Sequence, residues 1–359
     1  MYLIDYIKEH KNWREELSNK PYSLKIKDDE GFTLFMYNQI ESDFYNPIVK
    51  EARGVILDLA GEEPHVVCRA FDKFGNYGEG YVDDIDWASA RVQEKVDGSI
   101  MKVWYYKGNW HLSSNSCIDA FKATLTTGYS LGDIFITLFN DFLFDKLDKD
   151  CTYVFELVSP YNRVVIDYGE SKLYLIGKRN NFTGIEETPE DLDMARPAEY
   201  PLSSLEECIS AAALLNEGDE VKKEGFVVVD KNFHRIKIKS PLYVAKHHVM
   251  TNKPSFEDLV LIWREGEKEE FLTYFPAYAN EFDKMDYWEW TLNERLRDGK
   301  VLWDYVDHDR KRFALEVKNW TLSGFVFEAM KYNDWSVDRV KALPHEQLAR
   351  FIKNWKNET

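Results

Sequence analysis

Lys95-Val96-Asp97-Gly98 lies between two segments that read as strands, and this junction constrains the fold more than any other feature of the chain. Upstream stands Gln93-Glu94. Downstream, Ile100 to Tyr106, the turn Lys107-Gly108-Asn109 and Trp110-His111-Leu112 read as a hairpin. Lys95 therefore belongs to a strand–turn–strand unit, held by rigid elements on both sides. Three further runs follow in order. Phe155-Glu156-Leu157-Val158 is apolar with one carboxylate; Glu224-Gly225 opens the strand-like Phe226-Val227-Val228-Val229; Arg235-Ile236-Lys237-Ile238-Lys239-Ser240 alternates basic and apolar residues. In an extended strand, side chains at i and i+2 share a face, so Lys237 and Lys239 project together while Ile236 and Ile238 pack behind them.

The rest of the chain divides by pattern. Residues 1–243 mix strands and helices. They open with a helix over Met1 to Leu17, continue through short β-rich runs such as Phe32 to Tyr37 and Gly54 to Leu57, and return to helical patterning around Asp133 to Leu147. After Tyr243 the strand pattern stops. Ser255-Phe256-Glu257-Asp258 has the form of a capping box, and helical spacing runs through Phe271, Tyr274, Tyr278, Phe282 and Met285, with a break expected at Pro276. Ser336-Val337-Asp338-Arg339 and Leu343-Pro344-His345-Glu346 read as further helix starts. The expected fold is α+β: an N-terminal domain over 1–243, with antiparallel sheets and flanking helices, and an all-α domain over 244–359.

The ordered set Lys95-x-Asp97-Gly98, Glu156, Glu224-Gly225, Lys237-x-Lys239 resembles the covalent nucleotidyltransferase superfamily of polynucleotide ligases and RNA capping enzymes. More narrowly, the chain is similar to bacteriophage-type ATP-dependent RNA ligases of tRNA repair. The resemblance also includes Tyr37-Asn38, Glu51-Ala52-Arg53-Gly54-Val55, Asp72-Lys73-Phe74, Pro160-Tyr161-Asn162-Arg163-Val164-Val165 and Asp309 to Glu316, and the matches at Arg53, Lys73 and the C-terminal segment are what point to the narrower branch. Two positions depart from the family pattern. Gly75 stands where a second aromatic residue is common, and Ser113-Ser114-Asn115-Ser116 stands where a basic residue is common. The superfamily's DNA ligases and capping enzymes usually continue into a β-rich fold, whereas this chain continues into helices.

The resemblance implies a set of roles. Lys95 is the nucleophile that becomes AMP-lysine, with Lys237 and Lys239 as catalytic phosphate contacts. Tyr37, Arg53, Lys73, Glu156 and Glu224 join the two lysines in binding ATP, Glu156 at the nucleoside. Asp97 and Glu224 orient Mg2+, directly or through water, with Mn2+ as a substitute; the alternative for Asp97 is to brace the turn through Gly98. Such chemistry needs cations near the nucleophile, because at neutral pH fewer than about one ordinary lysine in a thousand is a free amine. The implied reaction joins RNA 5′-phosphate and 3′-hydroxyl ends, as in cleaved tRNA, through a lysyl-AMP and an adenylated RNA end. The alternatives are a capping guanylyltransferase, a DNA ligase, or an RNA-binding relative without activity.

The formal charge of −17 opposes a nucleic-acid partner only if it is spread evenly. It is not. Acidic residues concentrate in 186–220 and 257–309, while 310–359 carries ten Lys or Arg against six Asp or Glu. The four cysteines are scattered without a CxxC pair, which argues against zinc and for a reducing, cytoplasmic setting. No apolar run approaches the roughly 20 residues needed to span a membrane, and Met1 to Asp5 shows no secretory signal.

Overall fold

The computed structural model describes residues 1–189, 192–216, 221–248 and 254–355. The chain divides into two compact units, Met1–His247 and His248–Thr359. Strands of the first unit are β1 (Lys25–Asp29), β2 (Phe32–Met36), β3 (Arg53–Asp58), β4 (His65–Cys68), β5 (Arg91–Lys95), β6 (Ser99–Tyr106), β7 (Asn109–Ser114), β8 (Cys151–Val158), β9 (Lys172–Asn180), β10 (Glu186–Glu187), β11 (Glu199–Tyr200), β12 (Gly225–Val229) and β13 (Arg235–Lys239). They form three sheets, ordered β1-β2-β3-β4, β10-β9-β8-β6-β7 and β11-β5-β12-β13. The ladders are antiparallel, so neighbouring strands can be joined by tight turns. The β6–β7 hairpin closes at Lys107-Gly108, both at positive φ, the backbone of a two-residue turn that matches strand twist.

The expected single opening helix is instead two, Tyr2–Glu9 and Trp13–Ser18. The break falls in the polar run around His10, whose backbone is extended. It lets Leu3 and Ile7 of one helix and Leu17 of the other enter the same core with Phe35, Val55 and Leu57. Tyr6 stacks on His10 at 3.9 Å and donates to Glu16 at 2.8 Å, which fixes the elbow. Glu51, from the segment before β3, accepts from the Leu3 and Tyr2 backbone amides at 2.8 and 3.3 Å and pairs with Arg69 at 3.2 Å. A remote carboxylate thus serves the orphan amides of a helix start. Similarly, the helical patterning around Asp133 to Leu147 resolves into a helix, Leu131–Leu138, and a 3₁₀ segment, Asp141–Lys146.

The two sheets that matter for the site each have an apolar back. Behind β5, β12 and β13 lie Val92, Phe226, Val228, Ile236 and Ile238, covered by Cys208 and Ala212 of helix Leu205–Ala213. Behind β6, β8 and β9 lie Met101, Val103, Phe155, Leu157, Leu173 and Leu175, covered by Ile134 and Phe135 of helix Leu131–Leu138. Strand alternation then sends the other face of each sheet toward the space between them. There Phe71 and Val154 pack with Phe74, Ile100 and Ile176.

In the second unit, the described residues form helices: Phe256–Arg264, Lys268–Tyr274, Ala279–Tyr305, Arg310–Val317, Ser323–Tyr332, Asp338–Lys341 and His345–Asn354, with one 3₁₀ turn at Pro276–Tyr278. Their core holds Phe271, Phe282, Met285, Trp288, Leu292, Leu348 and Ile352. Ser255 and Asp258 make the reciprocal bonds of a capping box, at 3.1 and 2.8 Å. Pro276 separates the second of these helices from the long third one.

Candidate active site

Register decides which side chains meet. Lys95 pairs with Gly225 on β12, and Gly225 pairs with Lys239 on β13; two residues along, Gln93, Val227 and Lys237 form the next row. Cross-strand partners point to one face, so Lys95, Lys237 and Lys239 share a surface. A side chain at 225 would stand between Lys95 and Lys239, and a Cβ there would collide with the Ile238 carbonyl. Glycine therefore lets the strands close and the amines converge.

The surface lines a cleft of about 380 Å3 whose walls include Arg53, Phe71, Phe74, Lys95, Glu156 and Lys239, together with Gln93, Ile100, Asn115, Ile176, Val227, Arg235 and Lys237. The Lys95 amine lies 2.7 Å from Oε1 of Glu224, and the Lys239 amine lies 3.9 Å from the same oxygen. Burial raises the pKa of Glu224, against the opposing pull of Lys95 and Lys239. Its second oxygen, Oε2, is buried without a hydrogen-bond partner. Across the cleft, burial pushes Glu156 up to about 7, with Lys95 opposing and Glu224 reinforcing. Arg53 stacks over the Phe74 ring at 4.8 Å, and its buried Nη1 has no partner. The cleft thus presents cations and an unsatisfied donor beside the apolar side chains of Phe71, Ile100, Ile176 and Val227.

Asp97 does not line this cleft. Its Oδ2 accepts from the backbone amides of Val165 and Ile166 at 2.9 and 2.8 Å, and its Oδ1 accepts from the Tyr243 hydroxyl at 2.7 Å. The Asp97 amide in turn donates to the Tyr168 hydroxyl at 2.9 Å. The Asp97 side chain is buried with both oxygens engaged, and it ties the turn to the backbone at 165–166 and to Tyr243 as a brace. Gly98 belongs to the same brace, since a Cβ there would collide with the Leu157 carbonyl. Tyr37 and Lys73, expected at the nucleotide, also do not line the cleft. The Lys73 amine sits over the rings of Phe44, Tyr37 and Tyr81 at 4.6, 4.9 and 6.0 Å. Lys73 borders a neighbouring hollow of about 350 Å3 that shares Phe74 and Arg235 with the cleft.

Several cleft residues were not singled out from sequence. Gln93 precedes Lys95 by two and Arg235 precedes Lys237 by two, so strand alternation alone places them on the same face. Asn115 stands where the family pattern favours a basic residue; its Oδ1 is buried without a partner. A cation does lie close by. Lys102, with no exposed surface, donates to the Gly54 carbonyl next to Arg53, and burial lowers its pKa. Phe71, Ile176, Tyr168 and Tyr243 carry no local sequence signal; only the tertiary fold brings them here.

Residues 51–243 match the family described as RNA ligase. A putative bifunctional polynucleotide kinase/RNA ligase of Autographa californica nuclear polyhedrosis virus is 32% identical over an alignment 283 residues long that covers 71% of this chain and 39% of that protein. The chain thus spans well under half of that viral relative. An RNA ligase of Rhodothermus phage RM378 is 25% identical over 400 residues, covering 89% of this chain and 90% of the phage protein. Among solved structures, an archaeal ATP-dependent RNA ligase superposes with a TM-score of 0.48 at 15% identity, over 76% of this chain and 75% of that one.

Proposed function

The chain belongs to the RNA ligase family, and from that premise we propose that it joins RNA 5′-phosphate and 3′-hydroxyl ends with ATP, using Lys95 as the nucleophile. One observation carries the reading: the Lys95 amine stands 2.7 Å from the buried carboxylate of Glu224, in a cleft shared with Arg53, Lys237 and Lys239. A cleft of that volume suits a nucleotide. The apolar walls suit a base and the cations suit its phosphates, with the unpartnered Arg53 Nη1 ready for an anionic oxygen.

In this reading Glu224, made a better base by burial, takes the ammonium proton of Lys95. The freed amine attacks the α-phosphate; a P–N bond forms, the P–O bond to the β-phosphate breaks, and pyrophosphate leaves. Lys239, Lys237 and Arg53 offset charge on that leaving group. The RNA 5′-phosphate then displaces Lys95 from AMP, and a 3′-hydroxyl displaces AMP, leaving a phosphodiester. Most of the catalysis is positioning and charge stabilisation. Among the described residues no group of three or more His, Cys, Asp or Glu could cage a metal. That suits Mg2+, which typically takes one or two carboxylates plus substrate phosphates. The unpaired Oε2 of Glu224 is the oxygen that would hold it, directly or through water, and the ion would supply charge neutralisation on the phosphates.

The same reading assigns the first unit to adenylyl transfer and the helical second unit to RNA recognition. It assigns the triphosphate's outer end to Lys73, which borders the adjoining hollow, and to Tyr37, whose ring lies 4.9 Å from the Lys73 amine. Cleaved tRNA in a host cytoplasm is the substrate it favours. No described helix is long and apolar enough to cross a membrane. The test is to incubate the protein with ATP, Mg2+ and a 5′-phosphorylated single-stranded RNA, with the matching DNA in parallel. Joined or circularised RNA that requires ATP is the expected product; an RNA left unjoined by a protein that does label with AMP would move the acceptor to another polymer.

A further inference from the structure

We propose that the loop after β8, with the outer end of β9, forms a shelf that binds the single-stranded RNA end presented to Lys95. The proposal deepens the ligase reading and rests on it for the identity of the polymer. The loop is clamped to the nucleophile's own turn. Val165 and Ile166 donate their amides to Asp97, Asn162 donates to the Ser99 hydroxyl at 2.6 Å, and Ser159 and Ser171 close the loop's base at 2.8 Å. Ser99 is itself a cleft wall. A loop tied this closely to the reacting lysine is rigid where it needs to be and continuous with the cleft.

What the loop offers to solvent suits a polynucleotide. Tyr161 is 47% exposed and meets Tyr129, 49% exposed, at a ring separation of 4.7 Å. Exposed paired rings with no core to fill are a stacking surface for bases, which is sequence-tolerant because every base has a π-face. Two cations belong to the same loop and to the strand that follows it. Arg163, on the same loop, donates through Nε to the Val165 carbonyl at 3.1 Å and pairs through Nη1 with exposed Asp167 at 3.3 Å, a weak surface contact that a phosphate can outcompete. Lys172 is exposed at the start of β9, its amine 4.9 Å from the Tyr174 ring centre. Register links it to the site: Tyr174 pairs with Glu156 and Lys172 pairs with Val158, while Ile176 on the same face lines the cleft. At about 3.3 Å per residue, Lys172 lies roughly 13 Å along β9 from Ile176. The shelf therefore leads from the cleft outward, as a strand with its 5′ end at Lys95 requires.

The test uses the full chain and a fluorescent 5′-phosphorylated single-stranded RNA, read by anisotropy, with self-labelling from ATP followed separately. The double variant Tyr129→Ala/Tyr161→Ala is expected to bind RNA at least tenfold more weakly while labelling at the parent rate. Tyr161→Phe, which keeps the ring, is expected to retain affinity. Lys172→Ala is expected to weaken binding and to flatten its salt dependence by about one phosphate contact. Parent-like affinity in the double variant overturns the shelf, as does equal weakening by Tyr161→Phe. Because binding is read without chemistry, a parent protein that binds RNA but takes no label from ATP would sink the ligase reading and leave the shelf standing.

Discussion

Replacing Asp97 separates a brace from a metal ligand. In Asp97→Ala, the amides of Val165 and Ile166 and the Tyr243 hydroxyl all lose their acceptor. Each stranded group costs about 1–3 kcal/mol, so the loss for the three is about 3–9 kcal/mol, a large share of the 5–15 kcal/mol typical of a folded domain. In Asp97→Asn, the amide oxygen can serve both backbone donors and the amide nitrogen can donate to a rotated Tyr243 hydroxyl. Only charge assistance is lost, about 1–2 kcal/mol. Thermal unfolding should thus fall much further for Ala than for Asn. The initial rate of label transfer from α-labelled ATP should fall about tenfold for Asn, the factor that 1.36 kcal/mol sets, and by more than about a hundredfold for Ala. If Asp97→Asn keeps the parent's unfolding temperature yet labels as poorly as Ala, Asp97 acts through its charge on a metal, and the brace argument is wrong.

Other consequences are open to measurement. Glu156 has its pKa raised from 4.5 to about 7 by burial, so the folded state holds a proton that the unfolded state releases. Stability from this group is full below about pH 4.5 and is lost as pH rises through about 7; Glu156→Gln should flatten that slope in denaturant titrations between pH 5 and 8, and an unchanged slope would contradict the assignment. Gly98→Ala drives a Cβ into the Leu157 carbonyl, an overpacking cost of about 1–3 kcal/mol, and should lower both the melting temperature and the labelling rate. Glu51→Ala strands the first amides of helix Tyr2–Glu9 and unpairs Arg69. It should destabilise by about 2–4 kcal/mol while protein that remains folded labels normally; loss of labelling in folded protein would place Glu51 in the chemistry.

What the sequence made legible followed period and spacing. The hairpin turn at Lys107-Gly108, the capping box at Ser255 and the helix break at Pro276 are local devices, and each appears at its expected place. The shared face of Lys237 and Lys239 follows from alternation. Their meeting with Lys95 needs the β5–β12–β13 register, which no local signal specifies. Long-range contacts were out of reach for the same reason. Asp97 finds partners at Val165, Ile166 and Tyr243, and nothing near Asp97 in the chain marks them. Lys73 reads as a phosphate contact from its motif, yet its amine is enclosed by rings from Tyr37, Phe44 and Tyr81 that only tertiary packing assembles. The elbow at His10 escaped because the polar run Lys8 to Asn12 holds neither proline nor glycine, so no local breaker marks it.

The central claim is that Lys95 carries AMP. The direct measurement is to incubate the protein with Mg2+ and α-labelled ATP, map the label by peptide mass, and run GTP and Lys95→Ala alongside. The account predicts an AMP adduct on Lys95, formed from ATP and not GTP, and absent from Lys95→Ala. An adduct on another residue, an adduct on Lys95→Ala, or no adduct on protein that intact mass shows to be free of AMP would contradict it.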